Sequence, residues 1–230
     1  MLALPDVTLI AVWGVGSADT HLITAALDYS SKDIHFARVV LLSPTPPKLS
    51  SIEHVYIPAM SGDEWTLFYR EMHRYVDTPY ALTVHADGYV INPNAWQQHF
   101  LKYDYIGAPW PDELLAEGRS KLAPHGLKQT PGYRVGNSGF SLRSAKFMRE
   151  VSTLPAVSGL ADDIYMCQAM GPYLESKGVW FAPESVAYDF SIESPVDDSA
   201  LKSFGFHGRR TEKTRALCTQ LQEYEKLQTL

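Results

Sequence analysis

Cysteine is scarce in this chain: Cys167 and Cys218 are the only two among 230 residues. That excludes a disulfide-stapled secreted scaffold, and the two stand too far apart for the paired spacing of a zinc knuckle. A reduced, cytoplasmic setting is the expectation. Basic residues are also in the minority, with 20 Lys and Arg against 26 Asp and Glu for a formal charge of −6. This balance argues against a protein held chiefly by nucleic-acid phosphates. No uncharged apolar run reaches the roughly 18 residues of a membrane-spanning helix. The apolar opening MLALPDVTLIAVWG carries Asp6, and no Lys or Arg comes before Lys32, so it lacks the basic region of a signal peptide and reads as a first strand. Attachment to the periphery of a membrane is left open. Three nucleotide and hydrolase signatures are missing as well. There is no G-x-x-x-x-G-K-[ST], no G-x-S-x-G, and no third glycine after Gly14-Val15-Gly16, which removes P-loop, α/β-hydrolase and NAD-binding Rossmann readings.

What is there is ordinary globular material, 45% hydrophobic and 20% charged, in a length that suits a single domain at roughly 150 residues each. Val7 to Trp13 reads as a strand, Asp19 to Tyr29 as a helix, and Arg38 to Leu42 and His54 to Ile57 as strands. Ser61-Gly62-Asp63-Glu64 has capping-box spacing, with Met60 and Trp65 at the hydrophobic-staple positions. The apolar spacing Trp65, Phe68, Tyr69, Met72, Tyr75, Val76 predicts a helix packed on a sheet. Tyr80 to Val84 is the next strand, followed by a short helix from Asn92 to Phe100 and a strand at Tyr105-Ile106. From Gly107 to Gly139, ten of 33 residues are Gly or Pro against 30 of 230 overall, which predicts a long shaped loop. Beyond it the reading is a strand at Phe140 to Leu142, a helix at Ser144 to Val151, and a helix from Asp162 to about Lys177 kinked near Pro172. Strands are expected at Val179 to Ala182 and Ala187 to Phe190, and a final helix carries Leu217, Leu221, Tyr224 and Leu227 on one side. The sum is an α/β domain with a mixed sheet and one long loop insertion.

Several polar residues fall where chemistry is possible. His85 and Asp87 follow a strand two residues apart, so both side chains can share a face and hold a cation such as Mn²⁺ or Mg²⁺; the alternative is a turn capped by Asp87 before Gly88. His207, between glycines and aromatics in FGFHG, is either structural or the third ligand of a tail folded back on the site. Arg209 and Arg210 beside it are either diphosphate contacts or a solvated helix start. Asp162 and Asp163 open a helix and suit capping. Asp163 shares a stripe with Met166, Cys167, Met170 and Leu174, so it faces inward and can serve as a general base, whereas Asp162 is expected to turn away by about 100°. Gly136-Asn137-Ser138-Gly139 is either a plain turn or a loop lying against a ligand.

The ordered segments HADGYVINPNAW, YDYIGAPWP, VGNSGFSLRS, ADDIYMCQ and FGFHG resemble a bacterial and viral family of glycosyltransferase-like proteins, catalogued as a domain of unknown function and related to the GT-A superfamily. The resemblance spans about Val7 to His207. It implies a GT-A-like, Rossmann-type αβα sandwich. Residues 1–106 would form the nucleotide-sugar half, 107–210 the acceptor half with the active-site loops, and 211–230 a C-terminal helix. It also implies a UDP- or GDP-sugar donor, a divalent cation held by Asp87, His207 and His85, and donor contacts from His85, Asp87, Gly136, Asn137, Gly139 and Arg209. Asp163, with Asp162 beside it, matches the acceptor-activating base of an inverting transfer, and Tyr105, Trp110 and Tyr133 would meet the acceptor. A glycan acceptor is favoured, with a modified nucleic-acid base the other option. His85 stands where the first acid of the family's DXD motif is expected, which removes one carboxylate from the cation. A catalytically inactive nucleotide-sugar or glycan binding module is the alternative reading.

Overall fold

The computed structural model describes residues 1–14, 20–193 and 202–228. Strand β1 (Leu2–Val12) leads to helix α1 (Thr20–Ser31), and strands β2 (Ile34–Ser43) and β3 (Glu53–Tyr56) follow. The Gly14-Val15-Gly16 turn, apart from Gly14, and the expected helix start at Asp19 lie outside the described residues. Next come α2 (Gly62–Leu67), β4 (Tyr80–Thr83), β5 (Tyr105–Ile106), α3 (Asp112–Leu122), β6 (Ser141–Ser144) and α4 (Ala145–Ser152). The tail holds α5 (Gly171–Ser176), α6 (Glu184–Phe190), β7 (Ser191–Ile192), β8 (Gly205–Phe206) and α7 (Glu212–Gln228).

Six strands form one mixed sheet in the order β3-β2-β1-β4-β6-β5. β1 pairs in parallel with β2 and β4, and β2 with β3, whereas β6 runs antiparallel to β4 and β5. Both faces of the centre are buried, which is why β1 reads as an unbroken apolar run rather than an alternating one. Leu9 and Ala11 pack with Ile23 and Leu27 of α1 on one face, while Ile10 and Val12 pack with Met72, Val76 and Met148 on the other. Each fully buried Leu or Ile side chain here contributes roughly 1.5–3 kcal/mol. The result is the expected αβα sandwich.

The capping box forms: Ser61 Oγ accepts from Glu64 N, and the Glu64 carboxylate accepts from Ser61 N. The helix it starts is shorter than predicted. After Leu67 the chain tightens into 3₁₀ turns at Phe68–Arg70 and Met72–Arg74; aromatic residues and His are modest helix formers, and packing of Tyr69 and Met72 decides the path. The 92–100 segment is likewise a pair of 3₁₀ turns, Pro93–Ala95 and Gln98–Lys102.

Three further expectations are corrected. The 107–139 segment is not all loop, because α3 starts after Pro111 with Asp112 and Glu113 in its first turn and buries Leu114, Leu115 and Leu122. Residues 162–177 do not form one kinked helix. A π-helical turn at Ile164–Ala169 ends first, and Pro172 then sits in the opening turn of α5, where its missing N–H costs nothing. Ala187 to Phe190 belongs to α6, entered from Pro183 and Glu184, and Val179 to Ala182 contributes only a bridge between Tyr105 and Phe181. The strands of this region are instead the short parallel pair β7 and β8.

Candidate active site

β4 lies at the centre of the sheet, with β1 beside it and β2 beyond β1 on the same side. The order therefore reverses between β1 and β4, and open α/β sheets bind ligands at the carboxyl ends of strands at such a point. Just past β4 the chain makes a tight reversal, in which His85 N donates to Gly88 O (2.8 Å) and Gly88 N to His85 O (3.1 Å). The tail then zips along this segment. Val90 bridges to Gly205, Phe206 N donates to Tyr89 O (3.4 Å), and Gly208 N donates to Asp87 O (2.7 Å).

This zipper carries His207 to the turn. His207 Nε2 lies 3.7 Å from Asp87 Oδ1, and the His85 and His207 rings are 6.0 Å apart between centroids. One ligand atom from each of His85, Asp87 and His207 falls within 4.8 Å of the others, close to the spread of ligands around one divalent ion at about 2.0–2.3 Å each. Glycine is required at the contact: a Cβ on Gly139 would sit 2.1 Å from His207 Nε2 and 3.0 Å from His85 Nδ1.

Asn137, expected on this loop, has φ 81°, the one positive value among the described non-glycine residues. Asn tolerates that region better than most side chains. Its Oδ1 accepts from Gly139 N (2.9 Å) and Phe140 N (3.2 Å), and its Nδ2 lies 2.5 Å from His207 Nδ1. The neighbouring Gly136 packs on the Trp110 ring, where a Cβ would lie 1.8 Å from an indole carbon.

A second cluster adjoins the first. Ser138 Oγ donates to Asp162 Oδ1 (2.5 Å), and the buried Arg143 guanidinium lies 3.7 Å from Asp162 Oδ2. Asp162 therefore turns toward the protein body, contrary to the expectation from helical spacing, held there by Ser138 and Arg143 ahead of the π-helical turn. Arg143 Nε also donates to Ser141 Oγ (3.0 Å), and the guanidinium stands 5.9 Å over the Tyr105 ring. A cavity of about 60 Å³, whose walls include Thr83, His85, Ser138, Arg143 and Asp162, joins the two clusters.

The fields in the site separate its titrating groups. Burial first, then Asp162 and Glu193, push the Asp163 carboxyl up to about 7. Burial and the neighbouring His207 push His85 down to about 4, so it is neutral near pH 7. For His207, burial acts downward, but the carboxylates of Glu193, Asp87 and Asp163 outweigh it and hold the ring above its ordinary value.

Other expected contacts fall elsewhere. Tyr105 is fully buried in β5 with its hydroxyl donating to Asn137 O (2.6 Å), and Trp110 is 4% exposed. Neither offers a face for stacking; both support the loop from beneath. Tyr133 is half-buried and donates to Glu175 Oε2 (2.5 Å). Arg209 is exposed, and Arg210 pairs with Glu117 (3.1 Å). Two residues of the site were not singled out from sequence. Arg143 is the single charged residue of β6, whereas Glu193 is connected to the site only through the tail.

Residues 58–207 match the family described as "Protein of unknown function (DUF5672)". The chain belongs to that family. No curated protein matches it in sequence. Among solved structures it is similar to the galactosyltransferase LgtC in complex with donor and acceptor sugar analogs, at 11% identity over 95% of each chain with a TM-score of 0.57. An active-site mutant of LgtC is similar at 12% identity, over 94% of this chain and 95% of that one, with a TM-score of 0.52. The fold of this DUF5672 protein is thus that of the GT-A glycosyltransferases. No helix among its described residues is long and apolar enough to cross a membrane.

Proposed function

We propose that this protein transfers a sugar from a nucleotide-diphosphate-sugar, of the UDP- or GDP-sugar class, to an acceptor hydroxyl on a glycan. The observation that carries this reading is the convergence of His85, Asp87 and His207 at the switch point of a GT-A sheet. The donor set fits a divalent cation. One carboxylate and two imidazoles suit Mn²⁺ better than Mg²⁺, which prefers an all-oxygen octahedron. When bound, the cation supplies Lewis-acid neutralisation of the charge that develops on the departing diphosphate.

The chain's own groups divide the remaining work. Asp87 and His207 face the diphosphate side, while Gly136, Asn137 and Gly139 present a close backbone surface to the donor sugar, and Arg209 reaches the diphosphate from the rim. Asp163 accepts the proton of the attacking acceptor hydroxyl on its carboxylate. A carboxyl near 7 suits a base working near neutral pH. Asp162, held by Ser138 and Arg143, keeps the adjacent turn in place and raises Asp163 through like-charge repulsion. A single displacement of this kind inverts the anomeric centre.

Incubation with UDP- and GDP-sugars plus Mn²⁺ tests the reading. Transfer or slow donor hydrolysis is expected, lost in Asp87→Ala and in Asp163→Asn. Donor binding without product, unaltered in Asp163→Asn, would instead make the protein a binding module.

A further inference from the structure

Parallel pairing of β7 with β8 sets Ile192 opposite Phe206, and His207 N donates to Ile192 O (2.8 Å). Residues 193 and 207 therefore leave the ladder side by side. Glu193 stands there with only 7% of its surface exposed. Its Oε1 lies 3.6 Å from His207 Nδ1 and 4.0 Å from Arg210 Nε, and its Oε2 is buried with no hydrogen-bond partner among the described residues. Burying a carboxylate with one oxygen unpaired is costly, so its place beside a histidine of the metal group calls for a physical reason.

Two features of the site supply one. The metal group contains a single carboxylate, Asp87, to balance a doubly charged ion; Glu193 adds a second negative charge one residue beyond the ladder. The His207 ring is also contested. Asn137 Nδ2, with its amide oxygen held by two backbone N–H groups, donates to Nδ1. That contact favours the ring proton of neutral His207 on Nε2, the nitrogen facing Asp87, in competition with Glu193 Oε1, which favours a proton on Nδ1. A cation needs the Nε2 lone pair. For Nε2 to be free, Nδ1 must carry the proton and give it to an acceptor, and Glu193 Oε1 stands 3.6 Å from it.

We propose that Glu193 is a positioning residue for the metal group: by accepting a hydrogen bond from His207 Nδ1–H it turns the Nε2 lone pair toward a divalent cation beside Asp87. The inference rests on the metal reading above. The change is a tautomer exchange, in which one proton leaves Nε2 for solvent, one is taken up at Nδ1, and the ring stays neutral. Metal-bound histidines commonly give their second N–H to a carboxylate, and losing that partner typically weakens metal affinity by about 10–100-fold.

The test uses the full chain and two readouts. Mn²⁺ affinity is measured by titration, and the ring state of His207 in the metal-free protein by histidine ¹⁵N shifts, assigned with His207→Ala. Glu193→Ala should weaken Mn²⁺ binding by about 10–100-fold and lower the Nδ1–H population. Glu193→Gln, which keeps an acceptor oxygen and guards against misfolding of the alanine variant, should restore the ring state and recover part of the affinity. Wild-type Mn²⁺ affinity in Glu193→Ala, or an unchanged ring state, overturns the proposal alone if Asp87→Ala still abolishes binding. Absence of Mn²⁺ binding in the wild type overturns the metal reading and this proposal with it.

Discussion

Replacing Asp162 by Asn keeps the shape of the side chain and its hydrogen bond to Ser138 but deletes the only carboxylate within 4 Å of Arg143 among the described residues. Arg143 is 2% exposed, with Ser141 Oγ, Ser138 O and Met72 Sδ as its other hydrogen-bonding contacts. Breaking a buried pair from one side costs about 3–5 kcal/mol. The Asp162 side chain is 25% exposed, which lets water reach the orphaned charge and places the loss near the low end, about 3 kcal/mol. For a chain of this length that corresponds to a fall in Tm of about 6–12 °C. Arg143→Met removes the charge instead and leaves Asp162 with Ser138 and solvent, so its cost is smaller, about 1 kcal/mol from lost hydrogen bonds. The double variant should resemble Arg143→Met, giving a coupling of about 3 kcal/mol. Urea unfolding of the four proteins measures it. Additive losses, or an Asp162→Asn variant within about 0.5 kcal/mol of wild type, would refute the claim that the pair is energetically linked.

Two further outcomes follow from the same site. Gly139→Ala forces a methyl to 2.1 Å from His207 Nε2, so it should destabilise the fold by about 1–3 kcal/mol and abolish Mn²⁺ binding, read by thermal unfolding and metal titration; full binding would show that the glycine contact is dispensable. Because the folded Asp163 carboxyl is raised to about 7, the native state binds the extra proton, and this group's contribution is lost as pH rises from about 4 towards 7. Neutral His85, held down at about 4, contributes stability that is lost as pH falls from about 6.5 through 4, opposing that slope. Urea unfolding across pH 4–8 should therefore show stability rising more steeply with pH in Asp163→Asn than in wild type, and identical profiles would contradict the raised Asp163 carboxyl.

The centre of the sheet was legible because β1, β2 and β4 are buried on both faces and carry apolar, β-branched runs bounded by turns. The capping box at Ser61 and Glu64 is a local interaction, and local patterns survive folding. Where tertiary packing overrides spacing, sequence reading fails. Ala187 to Phe190 reads as a strand, but Pro183 and Glu184 start a helix, and the true strand is two residues long. The 3.6-residue spacing also misdirected Asp162, whose direction is set by Ser138 and Arg143, partners distant in sequence. His85 and Asp87 were visible as neighbours past a strand, and His207 through its glycine-flanked setting. Glu193 was not, because nothing local marks it; only the register of β7 against β8 brings it to His207.

A crystal soaked with MnCl₂ and UDP, measured at the manganese absorption edge, shows whether a cation binds between Asp87 and His207. One anomalous peak within coordination distance of both side chains, next to the diphosphate, is the expected result. Density for UDP with no manganese beside those two side chains, or manganese bound at another place on the molecule, would contradict it.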